Sequence, residues 1–294
     1  MVSLSKNMDL SMDLSMDLSA NYGAEVRSLH TRLMRVPLAI EESYSYWQNC
    51  HPNVLNLEVD RDRITNKTDK INQLAEIAFE KRWFGSKSMA RTQLLLKEFS
   101  QRYDAYPVAL LVLQQWQPRD LLTRRNLCHW HLQLVDPLYR AFTDHYLGQR
   151  RILSTDITDS NIDRDIVGRW VSQNMGRDHW SPATIARMAT GLIAAAASVG
   201  LCSDKMGKRN LLYPQVSDRA VEYWLYFLRA LTFEGTLLDN PYWRSVGLTG
   251  SLLETRLQRL PNLDFRRMGE LIDFGWQCAD LKDWALRLDR ENLE

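Results

Sequence analysis

The feature that most restricts the fold is one stretch, SPATIARMATGLIAAAASVGLCSDKMGKRNLLYP, at residues 181–214. Ser181 is a typical helix N-cap, and Pro182 suits the first helical position, where its missing N–H has no intrahelical partner to lose. Gly200 is typical of a helix C-terminus. Residues 201–203 and 209–213 then flank a short basic tip, as in a β-hairpin. The stretch therefore predicts a long helix followed by a hairpin.

The residues before this stretch predict the rest of a compact module. Asp136-Pro137 is typical of a helix start, and residues 151–154 are short and apolar enough for a strand. Ser160 and Asp163 resemble a capping box, and the helix that follows carries Ile162, Ile166, Trp170 and Val171 on one side. The order is helix, strand, helix, turn, helix, strand, tip, strand. This order predicts a winged-helix domain over residues 136–231, with the hairpin as its wing.

The other segments are predicted to be mostly helical. Helical spacing of apolar residues and short connections over residues 31–135 indicate a bundle that contains a helix-turn-helix. Residues 8–19 repeat the tetrapeptide MDLS three times, and low complexity at a terminus predicts that residues 1–30 are disordered. Residues 232–294 carry three tryptophans and are expected to form a helical C-terminal appendage that docks on the body or on a partner. The predicted fold class is mostly α.

The helix after Pro182 has two different faces. Its predicted buried stripe consists of Ile185, Met188, Leu192, Ala196 and Val199. The opposite face is made of small and hydroxyl side chains, with Gly191 and Ala194 among them, so it suits a close approach to a surface. Arginine and hydroxyl groups contact phosphates and base edges in protein–DNA complexes. The candidate DNA contacts on this face and on the wing are Thr184, Arg187, Thr190, Ser198, Lys205, Lys208 and Arg209.

A second basic segment lies in the predicted helix-turn-helix. Residues 81–102 contain six Lys or Arg and one acid, Glu98. The candidate contacts here are Lys81, Arg82, Lys87 and Arg91, and Arg102 belongs to the same run. Each patch also has a plainer interpretation. The small-residue face can pack on another helix, and a run of charges is often just a solvated surface.

Composition narrows the class of protein. The net charge is only +1, so binding to a polyanion has to depend on local patches. The four cysteines are scattered, as expected of buried thiols in a reducing cytoplasm, and the longest apolar run is too short to cross a membrane. Cys128 and His131 share a helix face but lack further metal ligands nearby. Four aspartates at 156, 159, 163 and 165 lie where a helix start favours acids. We expect no cofactor, metal site or catalytic site.

Two segments carry a resemblance to a known family. They are FEKRWFGSKSMARTQLLLKEFSQRY and WSPATIARMATGLIAAAASVGLC with the LLYPQVSDRAVEYWLYFL that follows its hairpin tip. Over roughly residues 32–231 the chain resembles the BrxA proteins of bacteriophage exclusion (BREX) defence islands. The resemblance implies a small helical protein with a winged helix that binds double-stranded DNA and serves phage defence without catalysis. The tail after about residue 232 and the MDLS repeat lie beyond it.

The expected function is therefore that of a cytoplasmic, DNA-binding accessory or regulatory protein of an anti-phage system. Other defence-system proteins are further expected partners, through the C-terminal segment. Two alternatives stay open. One is an interaction scaffold, in which the aromatic helix around residues 217–231 and the C-terminal segment bind other proteins. The other is RNA binding by the N-terminal bundle, as in helical anti-termination factors.

Overall fold

The fold is known from a computed structural model, which describes residues 22–50, 67–153, 160–174 and 180–291. Over these residues the chain is mostly helical, as predicted, with two antiparallel sheets of two strands each. The MDLS repeat, Asp156, Asp159 and most of the predicted turn at 176–180 lie outside the described residues. No helix in the described ranges is both long and apolar enough to span a bilayer.

The first part of the chain is helical throughout its described residues. Its elements are a 3₁₀ turn at Arg32–Met34, α1 at Ile40–Asn49, α2 at Lys67–Glu80, α3 at Met89–Phe99, α4 at Pro107–Trp116 and α5 at Leu121–Val135. Helix α3 continues into a π-helical turn at Ser100–Asp104. The Ser88 side chain caps α3, and Asp120 caps α5, by accepting backbone N–H bonds. The sequence predicted a helical bundle over this part of the chain, because apolar residues at helical spacing are a local signal.

The middle part contains the predicted hairpin but not the predicted first strand. Its elements are α6 at Pro137–Ala141, a π-helical turn at Phe142–Tyr146, α7 at Leu147–Leu153, β1 at Asn161–Ile162, α8 at Arg164–Asn174, α9 at Pro182–Ser198 and β2 at Arg209–Asn210. The strand predicted over residues 151–154 is wrong for 151–153, which end α7. The helical position lets the Arg151 guanidinium donate to the carbonyls of Leu201 and Leu212. The strand lies later in the chain, as β1, and it pairs antiparallel with β2.

The C-terminal part is not wholly helical, so that prediction is wrong. Its elements are α10 at Asp218–Leu228, α11 at Pro241–Ser245, α12 at Ser251–Leu257, β3 at Leu263–Met268, β4 at Leu271–Trp276 and α13 at Leu281–Glu291. Strands β3 and β4 form an antiparallel hairpin. Leu263 and Phe265 are buried while Asp264 and Arg266 are exposed, which is the period-2 pattern of a strand. Gly269, with φ of 61°, supplies the tight turn.

Helices α5 and α10 form the centre of the molecule. The indole of Trp130 stacks on that of Trp224, with ring centroids 5.5 Å apart, and meets Trp243 edge-on at 5.2 Å. On another side of the core, Trp116 of α4 meets Trp284 of α13 edge-on at 5.0 Å. Burying such rings supplies much of the folding free energy. The C-terminal segment is therefore packed on the body of the protein through its tryptophans.

Part of the segment predicted to be disordered is packed as well. Tyr22 is buried, and Ala24 forms a parallel bridge with Thr232. The carboxylate of Glu25 accepts a hydrogen bond of 3.0 Å from the Tyr242 hydroxyl. Residues 22–26 thus connect the N-terminal and C-terminal parts of the chain.

Two histidines of α5 form a polar network inside the aromatic core. The ring nitrogens of His129 lie 2.9 Å from the hydroxyls of Tyr139 and Ser245, and His131 Nε2 lies 2.9 Å from the Tyr223 hydroxyl. Burial lowers the pKa of both histidines to about 3. These residues are therefore neutral, hydrogen-bonded parts of the core.

The low histidine pKa predicts acid lability. An unfolded histidine titrates near pH 6.5, so the unfolded state binds more protons below that pH and the free energy of unfolding falls until about pH 3. His131→Asn should lower the stability at pH 7 and make the decline shallower by up to about 1.4 kcal/mol per pH unit. Urea unfolding between pH 7 and 5 measures this. The exposed His145→Asn is the control, and an equal change in slope for both variants would contradict the assignment.

Candidate nucleic-acid interface

Helix α9 begins as the sequence predicts and buries one broad face. The Ser181 hydroxyl accepts a 3.2 Å bond from the Thr184 N–H, and Pro182 takes the first position. The buried residues of the helix are Met188, Ala189, Leu192, Ile193, Ala195 and Ala196. Of the predicted stripe, Val199 is also buried and Ile185 is partly buried. The buried face is wider than predicted because Ala189, Ile193 and Ala195 belong to it.

The polar candidates of α9 lie on its outer side. Arg187, Thr190 and Ser198 are exposed, and Thr184 is half-buried. The hydroxyls of Thr190 and Ser198 donate to helix carbonyls one turn back, at 2.9 and 2.8 Å. The Thr184 hydroxyl lies 3.0 Å from that of Ser181. A phosphate contact through these hydroxyls therefore requires a rotamer change, whereas the guanidinium of Arg187 is directly available.

Gly191 corrects the expectation of one continuous small-residue face. A Cβ at this position would lie 3.2 Å from the carbonyl oxygen of Leu33. The glycine thus allows the backbone of the 3₁₀ turn to contact α9 closely. The outer face of α9 is narrower than the sequence predicts, because part of it packs on residues 32–34.

The hairpin after α9 carries two exposed lysines and one arginine that is largely buried. Its strands are joined by the Cys202–Leu211 bridge and by a 2.9 Å bond from the Ser203 N–H to the Asn210 carbonyl. Lys205 and Lys208 are exposed, and Met206 between them is 95% exposed. Arg209 has a side chain only 19% exposed, because it donates to the Ser203 carbonyl at 3.3 Å and lies 3.9 Å from Asp204. Arg209 therefore braces the hairpin as well as adding charge to it.

Two adjoining clefts separate the hairpin from the outer face of α9. They are lined by Thr190, Ala194 and Ser198 of the helix, by Lys208 and Arg209 of the hairpin, and by Arg125, Asp163, Arg164, Asp165 and Asp204 among other residues. The lining thus has four cationic and three acidic side chains. Each acid is locally engaged: Asp163 caps α8, Asp165 lies 3.8 Å from Arg164, and Asp204 is beside Arg209. Arg125 of α5 and Arg164 of α8 are members that the sequence did not indicate, since they line the same clefts as α9 only in the folded chain.

The second basic patch surrounds the turn between α2 and α3. Lys81, Arg82 and Lys87 are exposed, and Arg82 has a left-handed φ of 53°. Lys87 is partly neutralised by Glu42, 3.6 Å away. The Arg91 guanidinium is half-buried and donates a 2.8 Å bond to the Arg35 carbonyl.

Arg102 does not belong to this patch. Its side chain is buried, with the residue 3% exposed, and donates to the carbonyls of Leu38 and Pro37 at 2.8 and 3.0 Å. Glu98 is buried beside it, and burial raises the pKa of Glu98 against the opposing effect of nearby arginines. The sequence placed Arg102 in a charge run, but the π-helical turn at 100–104 directs its side chain into the core.

One short segment connects the two patches. Leu33 contacts Gly191 of α9, and the carbonyl of Arg35, two residues later, accepts the bond from Arg91. The side chain of Arg35 itself is exposed. Residues 33–35 therefore position both patches on a common support, and Arg35 adds a cation between them.

No protein-family model matches the chain, and no curated protein is significantly similar to it. The chain is similar to a solved structure described as an uncharacterized protein from Magnetospirillum magneticum, with 14% identity and a TM-score of 0.49. That similarity covers 69% of this chain and 98% of the other.

The burial of Arg102 predicts a structural rather than a binding role. Arg102→Met would leave the buried Leu38 carbonyl and the part-buried Pro37 carbonyl without this donor, so we expect the free energy of unfolding to fall by about 3 kcal/mol. Lys97→Met removes an exposed cation of the same helical run and should change it by less than about 0.5 kcal/mol. Urea unfolding compares the two variants. Similar stabilities would show that the Arg102 contacts contribute little.

Proposed function

We propose that this protein is a non-catalytic, double-stranded DNA-binding accessory or regulatory protein of a bacterial anti-phage system of the BREX type. The observation that carries the DNA-binding part is the exposure of three cations, Arg187 on the outer side of α9 and Lys205 and Lys208 on the hairpin that follows it. All three side chains are exposed, and none of them has an ion pair within the described residues. The defence role follows from the family resemblance alone.

The strand pairing supports a winged-helix reading of residues 136–231. Strand β1 precedes α8 and pairs with β2, which follows α9, and the next residue after β2, Leu211, forms a bridge with Cys202. A winged helix brings together a strand before the second helix and a hairpin after the third in this way. In such a module α9 is the recognition helix and the hairpin is the wing. Arg151 stabilises the base of that wing through the Leu201 and Leu212 carbonyls.

The available side chains favour phosphate contacts over base readout. Lys205 and Lys208 are flexible point charges, and the α9 hydroxyls are already bonded to their own helix. Phosphate contacts set position and affinity, whereas hydrogen bonds to base edges set specificity. Arg187 is the one candidate on α9 able to bond a guanine edge in two places. We therefore expect low sequence specificity.

Residues 33–35 extend the proposed DNA interface from α9 toward the second basic patch. Arg35 is exposed between the segments that hold the α9 face and the helix-turn-helix patch. A duplex that contacts Arg187 and the wing would then continue toward Arg35, Lys81 and Arg82. In the clefts Asp165 and Asp204 lie beside Arg164 and Arg209, so Arg187, Lys205 and Lys208 supply the unpaired positive charge at this surface.

The first test removes the central cations. R187A/K205A/K208A should weaken duplex DNA binding at least tenfold at low salt, and the salt dependence of log K should become shallower by about three units. The matched control R119A/R259A/R290A removes three exposed arginines that lie outside both patches and should bind as the unchanged protein does. Fluorescence anisotropy at several salt concentrations measures both. An undiminished slope in the first variant would place the interface elsewhere.

The choice of nucleic acid tests the alternatives. The unchanged protein should bind a duplex DNA more tightly than single-stranded DNA or RNA of the same sequence. A preference for RNA would favour the anti-termination alternative. No binding to any of the three at low salt would favour the interaction scaffold.

Arg35 tests whether the two patches form one surface. R35A should weaken binding to a long duplex several-fold, because it interrupts the line of cations. The same variant should change binding to a short duplex, long enough for the wing alone, by less than twofold. Fluorescence anisotropy with duplexes of increasing length gives this comparison. An equal effect of R35A at every length would show that the two patches do not form one surface.

A further inference from the structure

A small polar cavity lies between residues 30–36, helix α3 with the π-helical turn that continues it, and the junction of α5 with α6. Its volume is about 10 Å³, which is the space that one water molecule needs. Three ionisable side chains from separate parts of the chain line it, namely His30, Glu98 and Asp136. The cavity is therefore a place where distant segments meet through polar groups.

Each of these three side chains has one buried atom without a hydrogen-bond partner. The atoms are His30 Nδ1, Glu98 Oε1 and Asp136 Oδ2, and no hydrogen bond within the described residues reaches any of them. Glu98 is 6% exposed and Asp136 is 1% exposed. Buried polar atoms in native proteins nearly always have a partner. Three unsatisfied atoms at one cavity indicate that they have a partner in common.

The hydrogen bond of the other ring nitrogen defines the state of His30. His30 Nε2 lies 2.8 Å from the carbonyl oxygen of Val135, which can only accept, so Nε2 carries a hydrogen. In a neutral imidazole the second nitrogen, Nδ1, then has no hydrogen and is an acceptor. It lies 3.7 Å from Asp136 Oδ2. A neutral His30 therefore directs a lone pair toward a carboxylate.

The three atoms need more hydrogens than one water molecule supplies. With both acids ionised and His30 neutral, all three atoms are acceptors. A water molecule in the cavity donates two hydrogen bonds, so one buried acceptor stays unsatisfied, which is unfavourable. One additional proton on the three side chains turns one acceptor into a donor and completes the network.

The charged groups around the cavity favour one extra proton and not two. Burial raises the pKa of Glu98 and of Asp136, while nearby arginines and His30 oppose the rise. Arg32 and Arg102 line the cavity, but they donate to Gln101 and to the carbonyls of Val135, Pro37 and Leu38. The further groups whose charge acts on this cluster are Arg35, Tyr106 and Tyr139. Burial therefore favours uptake of a proton, and the two lining cations disfavour uptake of a second.

The cluster attaches the segment that supports both basic patches. His30 and Arg32 both donate to the carbonyl of Val135. The residues that follow, 33–35, contact α9 and accept the bond from the helix-turn-helix patch. On the other side of the cavity, Asp136 caps α6 by accepting a 2.9 Å bond from the Tyr139 N–H. The proton count of the cluster therefore acts on residues 30–35 and on the start of α6 together.

We propose that His30, Glu98 and Asp136 share one proton at neutral pH, bridged by one water molecule in the cavity. When the pH rises this proton passes to the solvent, and the three acceptors are then left with the two hydrogens of the water. Residues 30–35 lose part of their attachment in that state. This proposal does not depend on DNA binding.

The pH dependence of stability counts the shared proton. In the unfolded chain aspartate, glutamate and histidine have largely lost their protons above about pH 7, so the folded state binds one more proton there. The cluster should therefore raise the unfolding equilibrium constant by up to about tenfold per pH unit above pH 7, until it releases its proton. Urea unfolding of the full chain between pH 7 and 9 measures this rise.

Two variants of unchanged shape supply the missing donor. Glu98→Gln and Asp136→Asn each place an amide N–H at the cavity, so either one removes the need for the extra proton. Each should make the rise of the unfolding constant with pH shallower, by up to about tenfold per pH unit. Because the proton is shared, the double variant E98Q/D136N should be no shallower than either single variant. The exposed Glu76→Gln is the matched control and should leave the rise unchanged.

Amide hydrogen exchange gives a local measurement. The Arg35 and Val36 amides donate to the Arg32 carbonyl, at 2.9 and 3.3 Å. Their protection factors, which are corrected for the intrinsic effect of pH, should fall between pH 7 and 9 in the unchanged chain and stay constant in E98Q and D136N. Chemical shifts of the core tryptophans verify that each variant is folded.

Three results would overturn the proposal. The first is an equal rise of the unfolding constant in the unchanged chain and in both variants. The second is an additive effect of the two substitutions, because each acid would then hold a proton of its own. The third is constant protection of Arg35 and Val36 across the same pH range in the unchanged chain.

Discussion

The structure depends on the aromatic contacts between α5 and α10. Trp130 and Trp224 stack at the centre, and the ring of His131 meets the edge of Trp224 with centroids 5.3 Å apart. Trp243 brings the C-terminal segment onto the same cluster. Because these rings are fully buried, the parts of the chain that surround them are held in place by a shared core. The candidate binding surfaces lie on the outer sides of elements whose inner sides pack on this core.

Polar groups are buried inside this aromatic core, and most of them are hydrogen-bonded within it. Tyrosine hydroxyls bond to His129 and His131 and to Glu25, so several polar atoms of the core find partners inside it, although His131 Nδ1 and Trp224 Nε1 do not. Arg102 plays a similar part by donating to two backbone carbonyls. A charge count along the chain cannot separate such a buried donor from an exposed cation. The distinction requires knowing which side of the π-helical turn faces the core.

Local signals in the sequence predicted more of the fold than of the site. Ser181 with Pro182, and Asp136 with Pro137, marked helix starts correctly, since capping depends on adjacent residues. The strand at residues 161–162 and the hairpin at 263–276 were missed, because short strands are selected by partners distant in sequence. The same reason explains Arg125 and Gly191. Arg125 lines a cleft with Asp204 and Arg209, and Gly191 lies against Leu33, and no local spacing reveals either arrangement.

The charge exposed at the α9 surface depends on which acids and cations are paired there, and not on the net charge of the chain. The chain carries a net charge of +1, and the clefts beside α9 hold nearly equal numbers of acids and cations. A mixed surface still attracts a polyanion when its acids are short-range partners of caps and arginines while its lysines extend into solvent. Asp163 accepts a bond from the Ile166 N–H, and Asp204 lies beside Arg209, so both acids have a local partner. Lys205 and Lys208 extend into solvent, so exposed cations outnumber the one exposed acid, Asp204, at the hairpin tip, although the molecule is almost neutral.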